Sequence, residues 1–209
     1  MKGLFITFEG GDGSGKSTQI ELLEDYFKEI GYKVYITREP GGTKIGEEIR
    51  KVILNKEYTE MADQTEALLY AAARAQHVVE FILPKMKVNE IVICDRFVDS
   101  SLASQGYARG LGVEQIRTIN AFATGGLQPD LTILLDVSPE EGIDRKSSQQ
   151  NLDRLELEKK AFHQRVRDGY LMLSEAERDR ILVIDGLKTI EEIHEIVIKR
   201  VTALIDLMK

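Results

Sequence analysis

The sequence lacks the features that mark several large classes of protein. Cys94 is the only cysteine, so a disulfide framework is excluded and a reducing compartment is expected. Lysine and arginine number 28 against 35 acidic residues, and the net charge of −7 gives no support to nucleic acid or a membrane as a partner. No apolar run approaches the roughly 20 residues that cross a bilayer, and the N-terminal residues have no signal-peptide pattern. We therefore expect a cytoplasmic protein.

Two ligand-binding patterns are also missing. The three histidines, His77, His163 and His194, lie in helical patterns and have no metal-ligand spacing, so a zinc site is not expected. A guanine-reading N-K-x-D stretch, which a switch GTPase would need, does not occur either. A zinc enzyme and a switch GTPase are therefore not expected.

The distribution of apolar residues predicts the fold. The length of 209 residues suits one domain, and five short runs rich in isoleucine, valine and leucine alternate with helical patterns. Such alternation predicts an α/β fold: a five-stranded parallel sheet with helices on both faces, of P-loop NTP hydrolase type. The predicted strands are Leu4–Phe8, Val34–Thr37, Ile91–Cys94, Leu131–Val137 and Ile181–Ile184. The clearest predicted helices are Gln19–Ile30, Ala62–Lys87 and Thr189–Leu207.

The first predicted strand leads directly into a glycine-rich stretch that reads G-x-x-x-x-G-K-S. A strand, a glycine loop and a helix in this order form the context of a phosphate-binding loop, in which backbone N–H groups converge on an anion. Lys16 is expected to reach the β- and γ-phosphates of ATP, and the Ser17 hydroxyl is expected to ligate Mg²⁺. The predicted ATP-binding residues are Gly10, Gly11, Asp12, Gly13, Ser14, Gly15, Lys16, Ser17 and Thr18.

Arginines follow the next strands of the predicted sheet. Arg38 comes directly after the second strand, and Arg50 lies on the helix beyond it. Arg96 follows Asp95 at the end of the third strand. Because ligands of parallel sheets bind beyond the carboxyl ends of the strands, these arginines are expected to gather around a second anion. Each of them alone would be interpreted as a solvated surface charge.

Two pairs of residues spaced four apart suggest a base-binding face. Tyr70 and Arg74 share one face of the long predicted helix, where a ring can stack on a base and a guanidinium can donate to its edge. On spacing alone, Tyr70 as a core residue capped by Arg74 is an equally good interpretation. Ser101 and Gln105 form the second pair, and a glutamine amide can both donate and accept, which suits a pyrimidine edge.

Taken together, these segments resemble the bacterial thymidylate kinase family. The phosphate loop, beginning at Phe8-Glu9-Gly10, is followed by four further segments in the family's order: Arg38-Glu39-Pro40-Gly41-Gly42-Thr43, Leu68-Leu69-Tyr70-Ala71-Ala72-Ala73-Arg74, Asp95-Arg96-Phe97-Val98-Asp99-Ser100-Ser101-Leu102-Ala103 and Asp153-Arg154-Leu155-Glu156. The resemblance implies a single nucleoside monophosphate kinase domain over residues 1–209. It also implies transfer of the γ-phosphoryl group of ATP to dTMP, the use of Mg²⁺, and a homodimer.

The resemblance further implies which residues bind the acceptor. Asp12 would hold the 3′-hydroxyl of the deoxyribose, and Tyr70 would stack on thymine. Three arginines would surround the acceptor phosphate: Arg38, Arg50 and Arg96. The edge of the base would be bound by Arg74 and Gln105, with Ser101 nearby.

The catalytic and metal-binding residues are implied in the same way. Lys16 and Arg96 would be catalytic, together with an arginine of a small flexible lid at about 145–154. Arg145 and Arg154 are the two candidates for this lid arginine. Asp95 would support Mg²⁺ beside Ser17, and Glu39 is the alternative carboxylate near the same ion.

Two positions bear on the subtype and on selectivity. Gly13 stands where the eukaryotic-type loop has an arginine, which matches the bacterial subtype, whose lid supplies arginines instead. Ser104 stands where the family usually has a tyrosine that lies against the 2′ position of the sugar and excludes ribonucleotides. We therefore expect weaker selection against ribonucleotides, unless Tyr107 or another side chain fills the space.

The chemistry of the acceptor separates the alternatives. A phosphate monoester has a second pKa of about 6, so it arrives as a nucleophile and needs no general base, unlike a hydroxyl acceptor. A kinase for UMP, CMP or dCMP is the nearest alternative, and the donors of Arg74 favour thymine or uracil over the amino group of cytosine. A deoxynucleoside kinase fits less well because the three arginines are expected to bind a phosphate group, which a nucleoside acceptor lacks. A slow nucleotide-dependent switch is the alternative from another class.

Overall fold

The fold is built on one parallel sheet. The computed structural model describes residues 3–88, 90–146 and 153–207, apart from the side chain of residue 146. The strands in this part of the chain are β1 (Leu4–Gly10), β2 (Val34–Arg38), β3 (Ile91–Asp95), β4 (Leu131–Asp136) and β5 (Ile181–Asp185). They pair in the order β2-β3-β1-β4-β5, and every pairing is parallel. The predicted five-stranded parallel sheet is confirmed.

Helices cover both faces of this sheet, as predicted. They are α1 (Lys16–Glu29), α2 (Lys44–Leu54), α3 (Asp63–His77), α4 (Leu83–Lys87), α5 (Val98–Ser101), α6 (Val113–Thr124), α7 (Pro139–Lys146), α8 (Lys160–Ala176) and α9 (Ile190–Leu207). None of the helices in the described ranges is both long and apolar enough to cross a membrane.

Side chains of β1 alternate between two buried layers, because successive residues of a strand point to opposite faces. Leu4, Ile6 and Phe8 pack with α1 and α9 in one core cluster. Phe5 packs on the other face, against Phe97 at an edge-to-face angle of 85°. Glu9 lies four residues after Phe5 and points to the same face of the sheet, so its carboxylate lies in the layer that contains α8.

The long helix predicted over 62–87 is present, but it is not α-helical throughout. A π-helical segment, Val78–Ile82, separates α3 from α4. Pro84 follows this segment and has no N–H to donate to the carbonyl of Glu80. An α-helical turn there would also bring the proline ring against that carbonyl, and the wider π turn relieves the conflict. A second π-helical segment, Leu102–Ala108, continues α5.

The carboxyl ends of the central strands meet at one edge of the sheet. Phe8 of β1 lies beside Asp95 of β3 and Ile133 of β4 in the strand register. Arg38 at the end of β2 also lies beside Asp95. The loops that follow β1, β2 and β3 therefore open on a common crevice, which is where ligands of such sheets bind.

Candidate active site

The loop between β1 and α1 is shaped by its glycines. Gly10, Gly13 and Gly15 all have positive φ values, of 132°, 72° and 94°. At Gly13 a Cβ atom would also collide with the carbonyl oxygen of Gly142 on α7. A side chain at position 13 would therefore be strained by the backbone conformation and would press against α7, so glycine suits this position.

Lys16 lies buried at the start of α1, with 7% of its surface exposed. Its Nζ donates hydrogen bonds to the carbonyl oxygens of Gly10 (3.3 Å) and Gly11 (3.0 Å). Burial and, to a smaller extent, the positive charge of Arg96 lower the pKa of Lys16 to about 8, although Asp95 and Asp12 act in the opposite direction. The ammonium group thus lies among loop carbonyls and close to a second cation, where an anionic phosphate would stabilise its charge.

A cavity of about 510 Å³ contains most of the predicted site. It lies beside the phosphate loop and is bounded by residues that follow β2 and β3 and by residues of α3 and α8. Among its walls are these predicted residues: Gly11, Asp12, Gly13, Ser14, Gly15, Lys16, Ser17, Thr18, Arg38, Arg50, Tyr70, Arg74, Asp95, Arg96, Gln105 and Arg145. Gly10, Ser101 and Arg154 do not line this cavity in the described part of the chain.

The predicted acceptor-phosphate arginines lie around the loop after β2. Arg38 and Arg50 both donate to the carbonyl oxygen of Pro40, at 3.1 Å and 2.7 Å. Arg38 also pairs with Glu47 and keeps about half of its side chain exposed (47%). Arg96 reaches the same cavity from the end of β3 and donates to Asp12 Oδ1 at 2.9 Å. Three cations therefore face one cavity, as the positions of the arginines predicted.

Arg74 is the most enclosed of the charged side chains in this cavity, with 1% exposed. Its Nε donates to Glu39 Oε2 at 2.6 Å, and Nη2 donates to the carbonyl oxygen of Phe97 at 2.9 Å. Nη1 donates to Ser101 Oγ at 3.0 Å and also to Asn120 Oδ1. A guanidinium has five N–H donors, and these bonds use four of them. Arg74 thus acts as a structural hub, which here means that it binds four buried protein groups at once, and it retains one N–H donor for a ligand.

Ser101 and Gln105, predicted as a pair, have separate partners. The π-helical backbone changes the spacing between them, so Ser101 turns to Arg74 while Gln105 Nε2 donates to Glu66 Oε1 at 2.8 Å. Glu66 is 1% exposed and also accepts from Arg109 and Arg154. A carboxylate accepts only, so the bond to Glu66 fixes the amide of Gln105 with its oxygen as the group that can accept from a ligand.

The two candidate lid arginines are held in different ways. Arg145 at the end of α7 is exposed, donates to the carbonyl oxygen of Gly186 at 3.1 Å, and lines the cavity. Arg154 donates to Glu66 Oε2 at 2.6 Å and to the carbonyl oxygen of Ile53 at 2.9 Å. Residues 147–152 of the predicted lid lie outside the described residues. A catalytic role for either arginine stays a prediction.

Asp95 has the surroundings expected of a metal-binding carboxylate. Its Oδ1 is buried and has no hydrogen-bond partner in the part of the chain that the structure describes. It lines the same cavity as the exposed Ser17, and divalent cations such as Mg²⁺ prefer oxygen ligands. A metal-binding role for these two residues stays a prediction. Glu39, the alternative carboxylate, is already engaged because Oε1 bonds His77 Nδ1 (2.9 Å) and Oε2 accepts from Arg74.

The space near Ser104 is bounded by α8 rather than by Tyr107. Ser104 lines the cavity together with Phe162 and His163 of α8. Tyr107 is 40% exposed and is not among the residues that line the cavity. The expectation that Tyr107 could compensate for the small side chain of Ser104 is therefore not supported by its position.

Glu9 is a fully buried carboxylate at the end of β1. Burial and, to a smaller extent, the nearby charge of Asp99 raise its pKa to about 7, although Arg96 and the hydroxyls of Ser100 and Tyr170 oppose this shift. Between pH 4.5 and about 7 the folded protein thus keeps a proton that the unfolded chain releases.

We expect the free energy of unfolding to decrease as pH rises through this interval, because the folded state binds more protons than the unfolded state. The substitution Glu9→Gln removes the titrating group and should remove this component of the pH dependence. Denaturant unfolding of both proteins at a series of pH values measures the difference. Parallel stability curves would contradict the raised pKa of Glu9.

Comparison with known proteins decides the family. The family model described as Thymidylate kinase matches residues 8–197. The chain belongs to the thymidylate kinase family. Among its curated relatives are thymidylate kinases of Geobacillus sp. (strain WCH70), 53% identical over 203 residues (96% of this chain and 97% of the relative), and of Bacillus cytotoxicus, 52% identical over 201 residues (95% and 97%).

A solved structure supports the same conclusion. The crystal structure of thymidylate kinase from Ehrlichia chaffeensis matches with a TM-score of 0.78 and 35% identity, and the match covers 97% of this chain and 99% of that one. The predicted fold class and family resemblance are confirmed by these matches. The roles of individual site residues are not tested by them and stay predictions.

Several residues that hold the site were not singled out from the sequence. Glu66 and Asn120 bind the guanidinium and amide groups expected to read the base. Ser100 and Tyr170 bind Arg96. For Glu9 a signal existed, since a carboxylate within an apolar strand must find partners when the strand is buried. Tyr170 lies 74 residues from Arg96, and no local pattern could have paired them.

Proposed function

We propose that this chain transfers the γ-phosphoryl group of ATP to dTMP and yields dTDP and ADP. The observation that carries the proposal is a single cavity lined by the phosphate loop, by Arg38 and Arg96 at two strand ends, by Arg50 of α2, and by Tyr70 and Arg74 of α3. A loop of this kind binds the donor, and the arginines provide for an anionic acceptor. Tyr70 and Gln105 provide for a planar base in the same cavity.

The arrangement performs catalysis by alignment and charge neutralisation. A nucleoside monophosphate carries its own nucleophilic oxygen, so the site needs no general base. Lys16 and the loop N–H groups bind the donor phosphates, and Arg96 lies between the donor loop and the predicted acceptor arginines. Ser17 and Asp95 would hold Mg²⁺, which neutralises phosphate charge when bound. Of the two candidate lid arginines, Arg145 lines the cavity and Arg154 does not, which favours Arg145 as the one that would act on the donor phosphates.

The base-reading groups favour thymine and uracil over cytosine. The oxygen of the Gln105 amide accepts from N3–H, which thymine and uracil carry and neutral cytosine lacks. Arg74 contributes its one remaining N–H to a carbonyl oxygen of the base. Tyr70 stacks on the ring without distinguishing one pyrimidine from another. We infer that selectivity depends on the orientation of two polar groups, each of which is fixed by a buried partner.

A panel of acceptors tests the proposed function directly. Protein and Mg-ATP are mixed separately with dTMP, UMP, 5-methyl-UMP, CMP, dCMP, dGMP, thymidine and buffer, and ADP release is followed. We expect dTMP to be the best acceptor and both cytidine nucleotides to be poor ones. ADP release without any acceptor would indicate a nucleotide-dependent switch, and release with thymidine alone would indicate a nucleoside kinase.

Ser104 bears on a second function, the phosphorylation of a ribonucleotide. We expect the ratio of kcat/KM for dTMP over that for 5-methyl-UMP to rise by about tenfold in Ser104→Tyr, because a ring there would collide with a 2′-hydroxyl. Ser104→Ala is the matched control, since it removes the hydroxyl without filling space, and its ratio should equal that of the wild type. A wild-type ratio as high as that of Ser104→Tyr would refute weak 2′ selection.

We also propose that the active form is a cytoplasmic homodimer. Support comes from α6, where Phe122 is 92% exposed and would be covered in a dimer that uses this helix. Light scattering coupled to size-exclusion chromatography of wild type and of Phe122→Glu measures the oligomeric state. A monomeric wild-type protein would contradict the proposed dimer.

A further inference from the structure

Arg96 has an unusual backbone conformation that is secured from both sides. Its φ of 69° is the one positive value at a non-glycine residue in the described ranges, and arginine rarely adopts this region without external constraint. The N–H of Arg96 donates to the carbonyl oxygen of Phe8 at 2.9 Å, and the next N–H, of Phe97, donates to Glu9 Oε1 at 2.8 Å. Both peptide groups that flank Arg96 are thus held by the end of β1.

The side chain of Arg96 is oriented by hydroxyl oxygens. Its Nη1 donates to Tyr170 Oη at 3.2 Å and to Ser100 Oγ at 3.4 Å, while Nη2 donates to Asp12 Oδ1 at 2.9 Å. A hydroxyl accepts from a guanidinium only when its own hydrogen points elsewhere. For both hydroxyls the acceptor is Glu9 Oε2, at 2.8 Å from Tyr170 Oη and 2.6 Å from Ser100 Oγ.

Glu9 therefore acts on Arg96 at two levels. One carboxylate oxygen holds the peptide group that follows Arg96, and the other orients the two hydroxyls that receive its guanidinium. Glu9 itself is 0% exposed, so this carboxylate reaches the cavity only through its partners. Tyr170 is 3% exposed, and its ring is part of a core cluster, which fixes the position of its hydroxyl.

We propose that Glu9 and Tyr170 are positioning residues for phosphoryl transfer, which orient the Arg96 guanidinium through the Ser100 and Tyr170 hydroxyls. This inference rests on the proposed function, because Arg96 must act on a transferred or accepting phosphate. Neither residue touches the substrates in this scheme. Tyr170 also ties α8, the helix that follows the predicted lid, to the arginine at the end of β3.

The first test compares Tyr170→Phe with the wild type at about pH 8, above the raised pKa of Glu9. The ring keeps its packing, and only the hydroxyl is lost. We expect kcat/KM for dTMP to fall by about 10- to 100-fold, the range for one hydrogen bond to a charged group, with the KM for ATP unchanged. Tyr26→Phe is the matched control, because it removes a half-buried hydroxyl bonded to Thr202 on the opposite face.

The second test separates positioning from a general structural role. In an Arg96→Ala background, Tyr170→Phe should change kcat/KM by less than about twofold, because a group that acts through Arg96 has nothing left to orient. Glu9→Gln should behave like Tyr170→Phe in both backgrounds, and Ser100→Ala replaces either variant if one does not fold. Equal losses with and without Arg96, or wild-type activity of Tyr170→Phe, would overturn the proposal. Absence of dTMP-dependent ADP release in the wild type would instead refute the proposed function.

Discussion

Replacing Arg96 with alanine is expected to lower kcat/KM for dTMP by at least about 100-fold, the scale seen when an arginine that stabilises transferring phosphoryl charge is removed. Arg96 lines the cavity between the phosphate loop and the two arginines beside Pro40. Its pKa is raised well above the ordinary value by Tyr170, Asp12 and Asp95 acting against burial, so the side chain stays cationic. Coupled assays of ADP release with varied dTMP and varied ATP measure the loss.

A glycine variant separates the chemistry of Arg96 from its backbone strain. Arg96→Gly removes the same guanidinium but adopts a positive φ without strain, so it should be as inactive as Arg96→Ala and more stable by about 1 kcal/mol. Arg117→Ala is the control for loss of a partly exposed arginine, since Arg117 pairs with Glu114 and Glu177 outside the cavity. Activity within threefold of the wild type in Arg96→Ala would contradict the assigned role.

Replacing Arg74 with methionine is expected to lower the free energy of unfolding by about 3 to 5 kcal/mol. Methionine has a comparable length but leaves Glu39 as a buried carboxylate without its ion-pair partner. Asn120 and the carbonyl oxygen of Phe97 lose their donors as well. For a chain of this size the melting temperature should fall on the order of 10 °C. Calorimetry or urea unfolding of the free protein measures the change without any substrate.

Arg38→Met is the matched control for this effect. Arg38 also forms an ion pair, with Glu47, but its side chain is 47% exposed, and exposed pairs contribute about 0 to 1 kcal/mol. If Arg74→Met is no less stable than Arg38→Met, then Arg74 serves the ligand alone and the hub interpretation is wrong. If the expected difference is found, effects of Arg74 variants on dTMP binding must be corrected for folding.

The sequence was sufficient for the sheet, the phosphate loop and the positions of Arg38 and Arg96 at the ends of two strands. Runs of apolar β-branched residues identify buried strands because both faces of a parallel sheet are covered. The loop could be identified because consecutive residues carry its function, and Gly13 is required locally by its positive φ. Arg38 and Arg96 could be placed together because both directly follow strands whose carboxyl ends meet at one edge.

Only the tertiary structure decided which polar groups are engaged within the protein and which face a ligand. Spacing grouped Arg74 with Tyr70 and Ser101 with Gln105, but Glu39, Asn120 and Glu66 take up most of their donors. Arg154 pairs with a residue 88 positions away, and Tyr170 with one 161 positions away, so no local pattern contains these bonds. A buried polar group must be satisfied by whatever partner folding brings near it. The apolar periodicity of the sequence therefore determined the strands and helices of this kinase. Hydrogen bonds between residues distant in the sequence determined which polar side chains of the site remain available to a ligand.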